Sequence, residues 1–429
     1  MRKTNGVIRL AAVLLAVITA VPAVFAGCSN DSDYAPPLTL SASMPPEVAA
    51  EHGAFTAELY FVSEDGRRLA SEQHTITYSL SGSRAEAAVK ELVAGPDTDK
   101  FSASIPSGFT FDRVEISNET CSVYFTGSYP ETEREWLIAR AALAQTLYKV
   151  EGVESVSIFL NGVEPGYYGY EMGAQRPPSD TLDVYISSMK NEFETLAGVI
   201  QSGAGTYVTR TLALYYADES GTLLMGKNVE LSYDTAASKA NYVEMLVNRM
   251  MQDASGRRIQ DSALPEELVF AQPPRVTYIA TGDSVDDAEP PEGDRSCVAE
   301  LVFNSLPDGV NYDIICGALT LSITGSMTDI AGVSIRFVEN PEDTGDGSYF
   351  VRGDFSGFLG RSACVLFPDA DGTVLHRVMR SFPSNSIYDP SARLAALFSE
   401  PSEPGETYPL FTSEDIERVY ITDDIAVVD

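Results

Sequence analysis

The chain has 429 residues, 44% of them hydrophobic, enough for two or three domains with cores of their own. It carries 62 acidic and 29 basic side chains, a net charge of −33. A surface of that sign repels phosphate backbones and anionic lipid headgroups, so nucleic acid is not expected as a partner, and membrane attachment would have to be covalent or hydrophobic.

Residues 1–27 read as an export signal. Arg2, Lys3 and Arg9 precede the apolar run Leu10 to Ala20, which is too short for a membrane span. Losing those three cations takes the mature charge to −36 (−33 − 3). The segment closes on Val24-Phe25-Ala26-Gly27-Cys28, which resembles the bacterial lipobox, with Phe25 where that motif favours leucine. The resemblance implies that Cys28 is acylated and becomes the N-terminus, holding the protein on the extracytoplasmic face of the cell membrane. Each buried CH₂ of the acyl chains adds about 0.8 kcal/mol. The alternative is an ordinary secretory signal cut near Ala26, with Cys28 a bystander. Residues 28–54, polar and proline-rich, suit a flexible tether.

From there a pattern repeats. Ala57-Glu58-Leu59-Tyr60-Phe61-Val62-Ser63-Glu64-Asp65-Gly66 returns as Leu212-Ala213-Leu214-Tyr215-Tyr216-Ala217-Asp218-Glu219-Ser220-Gly221 and again as Ala363-Cys364-Val365-Leu366-Phe367-Pro368-Asp369-Ala370-Asp371-Gly372. The glycines lie 155 (221 − 66) and 151 (372 − 221) residues apart. That is a domain length, well beyond the period of about 20–50 residues in solenoid repeats.

The first module, 55–164, is expected to hold strands at Phe55 to Phe61 and Arg68 to Leu80, then a helix from Arg84 to Ala94 capped by Ser81 or Ser83 and stopped by Gly95-Pro96. A hairpin of Thr110 to Ser117 and Thr120 to Thr126 follows, then a helix over Glu131 to Val150 and a strand over Val153 to Leu160. The order is β-β-α-β-β-α-β. Residues 165–206 form a linker whose stripe Leu182, Tyr185, Met189, Phe193, Leu196 and Ile200 predicts an amphipathic helix packed on its own chain. The second module, 207–340, repeats the order: strands Tyr207 to Ala217 and Leu223 to Tyr233, helix Ala236 to Met251, hairpin Leu268 to Ala280 and Cys297 to Phe303, helix Asn311 to Thr328, strand Gly332 to Val338. An acidic insertion, Thr281 to Arg295, separates its hairpin strands. A linker, 341–360, leads to a partial third module, 361–429, with a hairpin at Asp371-Gly372, a helix from Pro390 to Phe398 and strands Arg418 to Thr422 and Ile425 to Val428. Its incomplete sheet is expected to leave an open edge.

These landmarks, namely the strand into an acidic-Gly turn, Val93-Ala94-Gly95-Pro96, Ile105-Pro106-Ser107-Gly108, the long helix and Gly152-Val153-Glu154-Ser155-Val156, resemble the GerMN domain of the GerM-like sporulation and germination lipoproteins. The fold class is therefore α+β, in tandem GerMN-like modules similar to ring-building domains, the third module incomplete. The resemblance implies a non-catalytic assembly or scaffold role outside the cytoplasmic membrane, with envelope proteins or self-association as partners. A lipid-anchored binding protein for peptidoglycan glycan or another ligand is the alternative.

Catalytic chemistry is not evident: there is no Gly-x-Ser-x-Gly, no His-Glu-x-x-His and no P-loop, and no cofactor or metal is expected. The three histidines, His52, His74 and His376, fall in the tether and on strands. Ser187-Ser188-Met189-Lys190 has the Ser-x-x-Lys spacing of penicillin-recognising enzymes without the companion Lys-Thr-Gly, and reads as part of the amphipathic helix. Asp369 and Asp371, and the run Asp283, Asp286, Asp287, Glu289, Glu292 and Asp294, lack EF-hand spacing and read as turn and loop chemistry. Tyr167-Tyr168-Gly169-Tyr170 reads as linker packing, with glycan or protein contact as the other option. Cys121, Cys297 and Cys316 fall on apolar faces and are expected as buried thiols. With Cys364 they allow three full disulfide pairings, which the spacing leaves open.

Overall fold

The computed structural model describes residues 52–79, 82–165, 172–201, 205–252, 256–259, 262–279, 296–327, 329–339, 347–368, 374–387, 389–398, 419–422 and 425–428. In the first module, β1 (His52–Ser63) and β2 (Leu69–Ser79) pair antiparallel, and period-two alternation puts Ala57, Leu59 and Phe61 inside. β1 starts three residues earlier than the alternation predicts, inside the segment expected as tether. Gly66 turns the hairpin at φ +69°, and the Asp65 carboxylate accepts from the Ser63 hydroxyl and the Arg67 N–H. Helix α1 (Arg84–Ala94) opens on Ser83, whose hydroxyl accepts from the N–H groups of Ala85 and Glu86, and closes at Gly95 with φ +99°.

A two-residue strand absent from the sequence reading, β3 (Phe101–Ser102), adds to the end of β1. The second hairpin, β4 (Phe109–Ser117) and β5 (Thr120–Gly127), turns at Asn118 with φ +49°. Helix α2 (Glu133–Glu151) is capped by Thr132 and ended by Gly152 in the left-handed region, and β6 (Ser155–Leu160) returns parallel to β5. Two three-stranded sheets, β2-β1-β3 and β4-β5-β6, thus enclose a core of Leu59, Phe61, Val123, Phe125, Trp136, Leu143 and Ile158. Helix α3 (Leu182–Gln201) packs the expected stripe on this core: Leu182, Phe193 and Leu196 are buried, with Tyr185 and Met189 against them. The side chain of Ile200 lies outside the described residues.

The second module repeats the order with β7 (Tyr207–Ala217), β8 (Leu224–Asp234), α4 (Lys239–Met251), β9 (Phe270–Tyr278), β10 (Cys297–Phe303), α5 (Tyr312–Ser326) and β11 (Ile330–Phe337). The repetition reaches single bonds. The Tyr60 N–H donates to Thr146 Oγ1 at 3.2 Å, and the Tyr215 N–H, 155 residues on (215 − 60), donates to Ser322 Oγ at 3.0 Å.

The structure departs from the sequence reading most at residues 347–360, within the segment 341–360 expected as a linker. β12 (Ser348–Phe350) extends the second module's sheet, and a 3-10 helix, Arg352–Phe358, buries Arg352 and Phe355. The aromatic run Tyr349, Phe350, Phe355, Phe358 explains the ordering. Gly332 makes room for it, since a Cβ there would lie 2.5 Å from the Tyr349 ring. The third module follows with β13 (Leu359–Pro368), β14 (Leu375–Pro383), α6 (Pro390–Leu397), β15 (Val419–Thr422) and β16 (Ile425–Val428). Its first hairpin does not leave its inner edge wholly open: β13 pairs parallel with β8 at Leu359↔Leu224 and Gly360↔Met225, giving the four-stranded sheet β14-β13-β8-β7. The modules therefore share sheets and do not hang as separate beads.

Candidate functional site

In β5 the run Thr120 to Phe125, and in β6 every residue, is buried. Inward, Cys121, Val123, Phe125, Val156 and Ile158 face the core. Outward, Thr120, Ser122, Tyr124, Ser155, Ser157 and Phe159 would meet water on an isolated module, yet all are covered. The cover is the second module and the segment leading into the third.

Arg352 is the centre of that joint, 5% exposed. Its guanidinium lies over the Phe159 ring, 4.5 Å from the centroid, and Phe159 stacks on Tyr124 at 4.9 Å. Nε donates to the Tyr124 hydroxyl (2.8 Å), Nη1 to Leu321 O (2.6 Å) and Thr324 Oγ1 (3.2 Å), and Nη2 to Ser122 Oγ and Tyr215 OH (both 3.3 Å). Those contacts use the full donor fork of arginine and join residues of the first two modules. Gly325 keeps the space open, because a Cβ there would lie 2.9 Å from Nη1. Tyr124 donates in turn to Glu115 Oε2 at 2.7 Å. Burial pushes the Tyr124 phenol well above its ordinary range. Burial alone would weaken the charge on Arg352, but Tyr124, Tyr215 and Glu115 outweigh it and hold the group cationic.

A second charged contact lies nearby. Arg361 Nη1 meets Glu151 Oε2 at 2.9 Å and Nη2 donates to Glu151 O at 3.1 Å, while Glu151 Oε1 accepts the Ala85 N–H at 2.8 Å. One carboxylate at the end of α2 therefore receives the first turn of α1 and a cation of the third module. Between the charges sits the tip of the β4–β5 hairpin. Ser117 Oγ donates to Leu224 O and accepts the Gly226 N–H, both at 2.7 Å; the Asn118 N–H donates to Gly360 O at 2.9 Å; Ser155 Oγ donates to Asn228 Oδ1 at 2.7 Å; and the Ser384 hydroxyl donates to Ile116 O. Gly226 fits because it has no Cβ, which would lie 2.5 Å from Thr120 Oγ1. In the sequence of the second module, residues 281–295 separate the two corresponding hairpin strands.

Buried, paired and hydrogen-bonded groups of this kind fix geometry; they offer no exposed nucleophile or base. None of Arg352, Arg361, Glu151 or Ser117 was singled out by the sequence reading. The available signal was the outward run of small hydroxyls in β5 and β6, unlike the charged residues of a solvated face.

Cys28, Tyr167, Tyr168, Tyr170, Asp369, Asp371 and the acidic insertion lie outside the described residues. Ser187 and Lys190 are exposed on α3, Lys190 facing Glu194 at 3.5 Å. Cys121, Cys297 and Cys316 are buried and Cys364 is exposed, with no disulfide among them. A small cleft of about 130 Å³ between α3 and β7 includes Gln175, Met189, Phe193 and the pair Glu192–Arg210, which meets at 2.7 Å. His376 is exposed on β14. His74 is buried, its Nδ1 3.1 Å from Glu91 Oε1 and its Nε2 3.1 Å from Glu72 Oε2. Among the described residues no group of three or more His, Cys, Asp or Glu is arranged to hold a metal ion, and no helix is long and apolar enough to cross a membrane.

Residues 58–165 match the family model Germane, described as sporulation and spore germination. No curated protein matches the chain. Among solved structures, the tandem GerMN domains of the sporulation protein GerM from Bacillus subtilis are 16% identical, covering 70% of this chain and 97% of that one, with a TM-score of 0.23. The first GerMN domain of the same protein is 23% identical, covering 29% and 96%, with a TM-score of 0.22. Scores of that size superpose too little to build on, and the internal repetition above carries the module description. Over its first module, residues 58–165, this chain is similar to the Germane family of sporulation and spore germination.

Proposed function

We propose that this protein is a lipid-anchored scaffold on the extracytoplasmic face of the cell membrane, taking part in sporulation or germination by holding envelope proteins in place and catalysing nothing. The observation that carries the reading is the joint. Three modules locked through Arg352, Arg361 and the β4–β5 tip form one block, which suits a spacer that must present surfaces at fixed distances. The lipobox-like Val24 to Cys28 supports the anchor, and the Germane match supports the developmental setting. Detergent phase separation of the full chain, made with its leader in a bacterial host, tests the anchor. The protein is expected in the detergent phase and Cys28→Ala in the aqueous phase; an unmodified protein wholly in the aqueous phase would reject it. Crosslinking in intact sporulating cells tests the scaffold: defined envelope proteins are expected on the block, and their absence at every stage sinks the role.

A further inference from the structure

We propose that His74 is the protonated pin of a pH-sensitive clasp that ties strand β2 to helix α1 and to the turn that ends it. The imidazole is 3% exposed. Its Nδ1 lies 3.1 Å from Glu91 Oε1 and 3.7 Å from Asp97 Oδ2, and its Nε2 lies 3.1 Å from Glu72 Oε2. A neutral imidazole has one N–H and one lone pair, so either tautomer would set a lone pair against a carboxylate oxygen; the imidazolium donates on both sides. The groups that face it are Glu72 from its own strand, Glu91 from α1, Asp97 from the turn after Pro96, and from β1 the Phe61 ring at 5.7 Å. None of these is a cation. Glu72 Oε2 also accepts the Asp97 N–H at 2.9 Å, so one carboxylate holds both the ring and the turn.

Burial alone would lower the affinity of His74 for its proton. The hydrogen bonds to Glu91 and Glu72, with the charges of Asp97 and Glu72, outweigh it and leave the group above its ordinary 6.5. The sign follows from linkage. A group raised in the folded state contributes fully below the unfolded value, and its contribution disappears as pH rises through the folded value. The clasp is therefore closed below the ordinary imidazole value and opens as pH rises through the raised folded value, releasing the end of α1. This inference does not rest on the scaffold reading.

The test is an NMR titration of the full chain's three histidines, with His52→Gln and His376→Gln separating the signals. His74 is expected to titrate with a midpoint above 6.5, and amide exchange at Leu92 to Gly95 to speed up through the same interval beyond the base-catalysed trend. In His74→Gln that extra acceleration should be absent. A midpoint at or below 6.5 overturns the proposal even if His74→Gln fails to fold, and so does an exchange profile unchanged by the titration.

Discussion

Arg361→Ala isolates the energetics of the joint. The substitution removes a guanidinium whose partner, the Glu151 side chain, is 0% exposed, and Arg361 itself is only 8% exposed. The buried carboxylate keeps the Ala85 N–H at 2.8 Å but loses the Arg361 guanidinium and cannot turn to water. Breaking a buried pair from one side costs about 3–5 kcal/mol. Three modules unfolding together expose more surface than a small protein, so with a urea m-value of about 4 kcal/mol/M the midpoint falls by about 1 M. The chain's single tryptophan, Trp136, is fully buried in the first module, so its fluorescence reports that module, while far-UV circular dichroism reports all three. In the wild type the two transitions should coincide, because unfolding the first module strips the cover from the others. In Arg361→Ala the fluorescence transition should come first. Arg361→Met combined with Glu151→Gln should recover most of the loss, since no charge is then left buried and the amide oxygen still receives Ala85. An unchanged fluorescence midpoint in Arg361→Ala would refute the reasoning.

Gly226→Ala should cost about 1–3 kcal/mol in the same assay, because the new methyl would lie 2.5 Å from Thr120 Oγ1 and 2.8 Å from Ser117 O, the latter fixed backbone. A thiol reagent on the folded protein, followed by peptide mapping, should modify Cys364 and spare Cys121, Cys297 and Cys316 until denaturant is added. Burial pushes the Cys316 thiol up to about 12 and the Cys121 thiol higher still, so both resist forming thiolate as well as being covered.

The elements were legible because each is a local matter. Ser83, Gly95, Thr132 and Gly152 mark helix ends by their own chemistry, and the alternation of Ala57, Leu59 and Phe61 marks a half-buried strand. The burial of Cys121, Cys297 and Cys316 followed from periodicity in the same way. The joint was not legible, because periodicity says which face is apolar but not which module lies on it. Arg352 fell unremarked inside the expected linker, Arg361 at the first residue of the third module, and Glu151 just past the end of the expected helix. β12 and β3 are short strands formed by pairing with neighbours distant in sequence, which no local pattern announces. Ser122, Ser155 and Ser157 held the one usable hint, small groups where a wetted strand would carry long charged ones.

The two arginines that seal the first module are encoded more than 180 residues downstream of it, one on the approach to the third module and one in its first strand. The modules repeat along the chain, but a gene rearrangement that swapped the final segment would also remove the cations that complete the opening one. The three stretches of coding sequence work as a single cassette, and a surveyor of domain boundaries who cut between them would obtain fragments with a polar wound on each side.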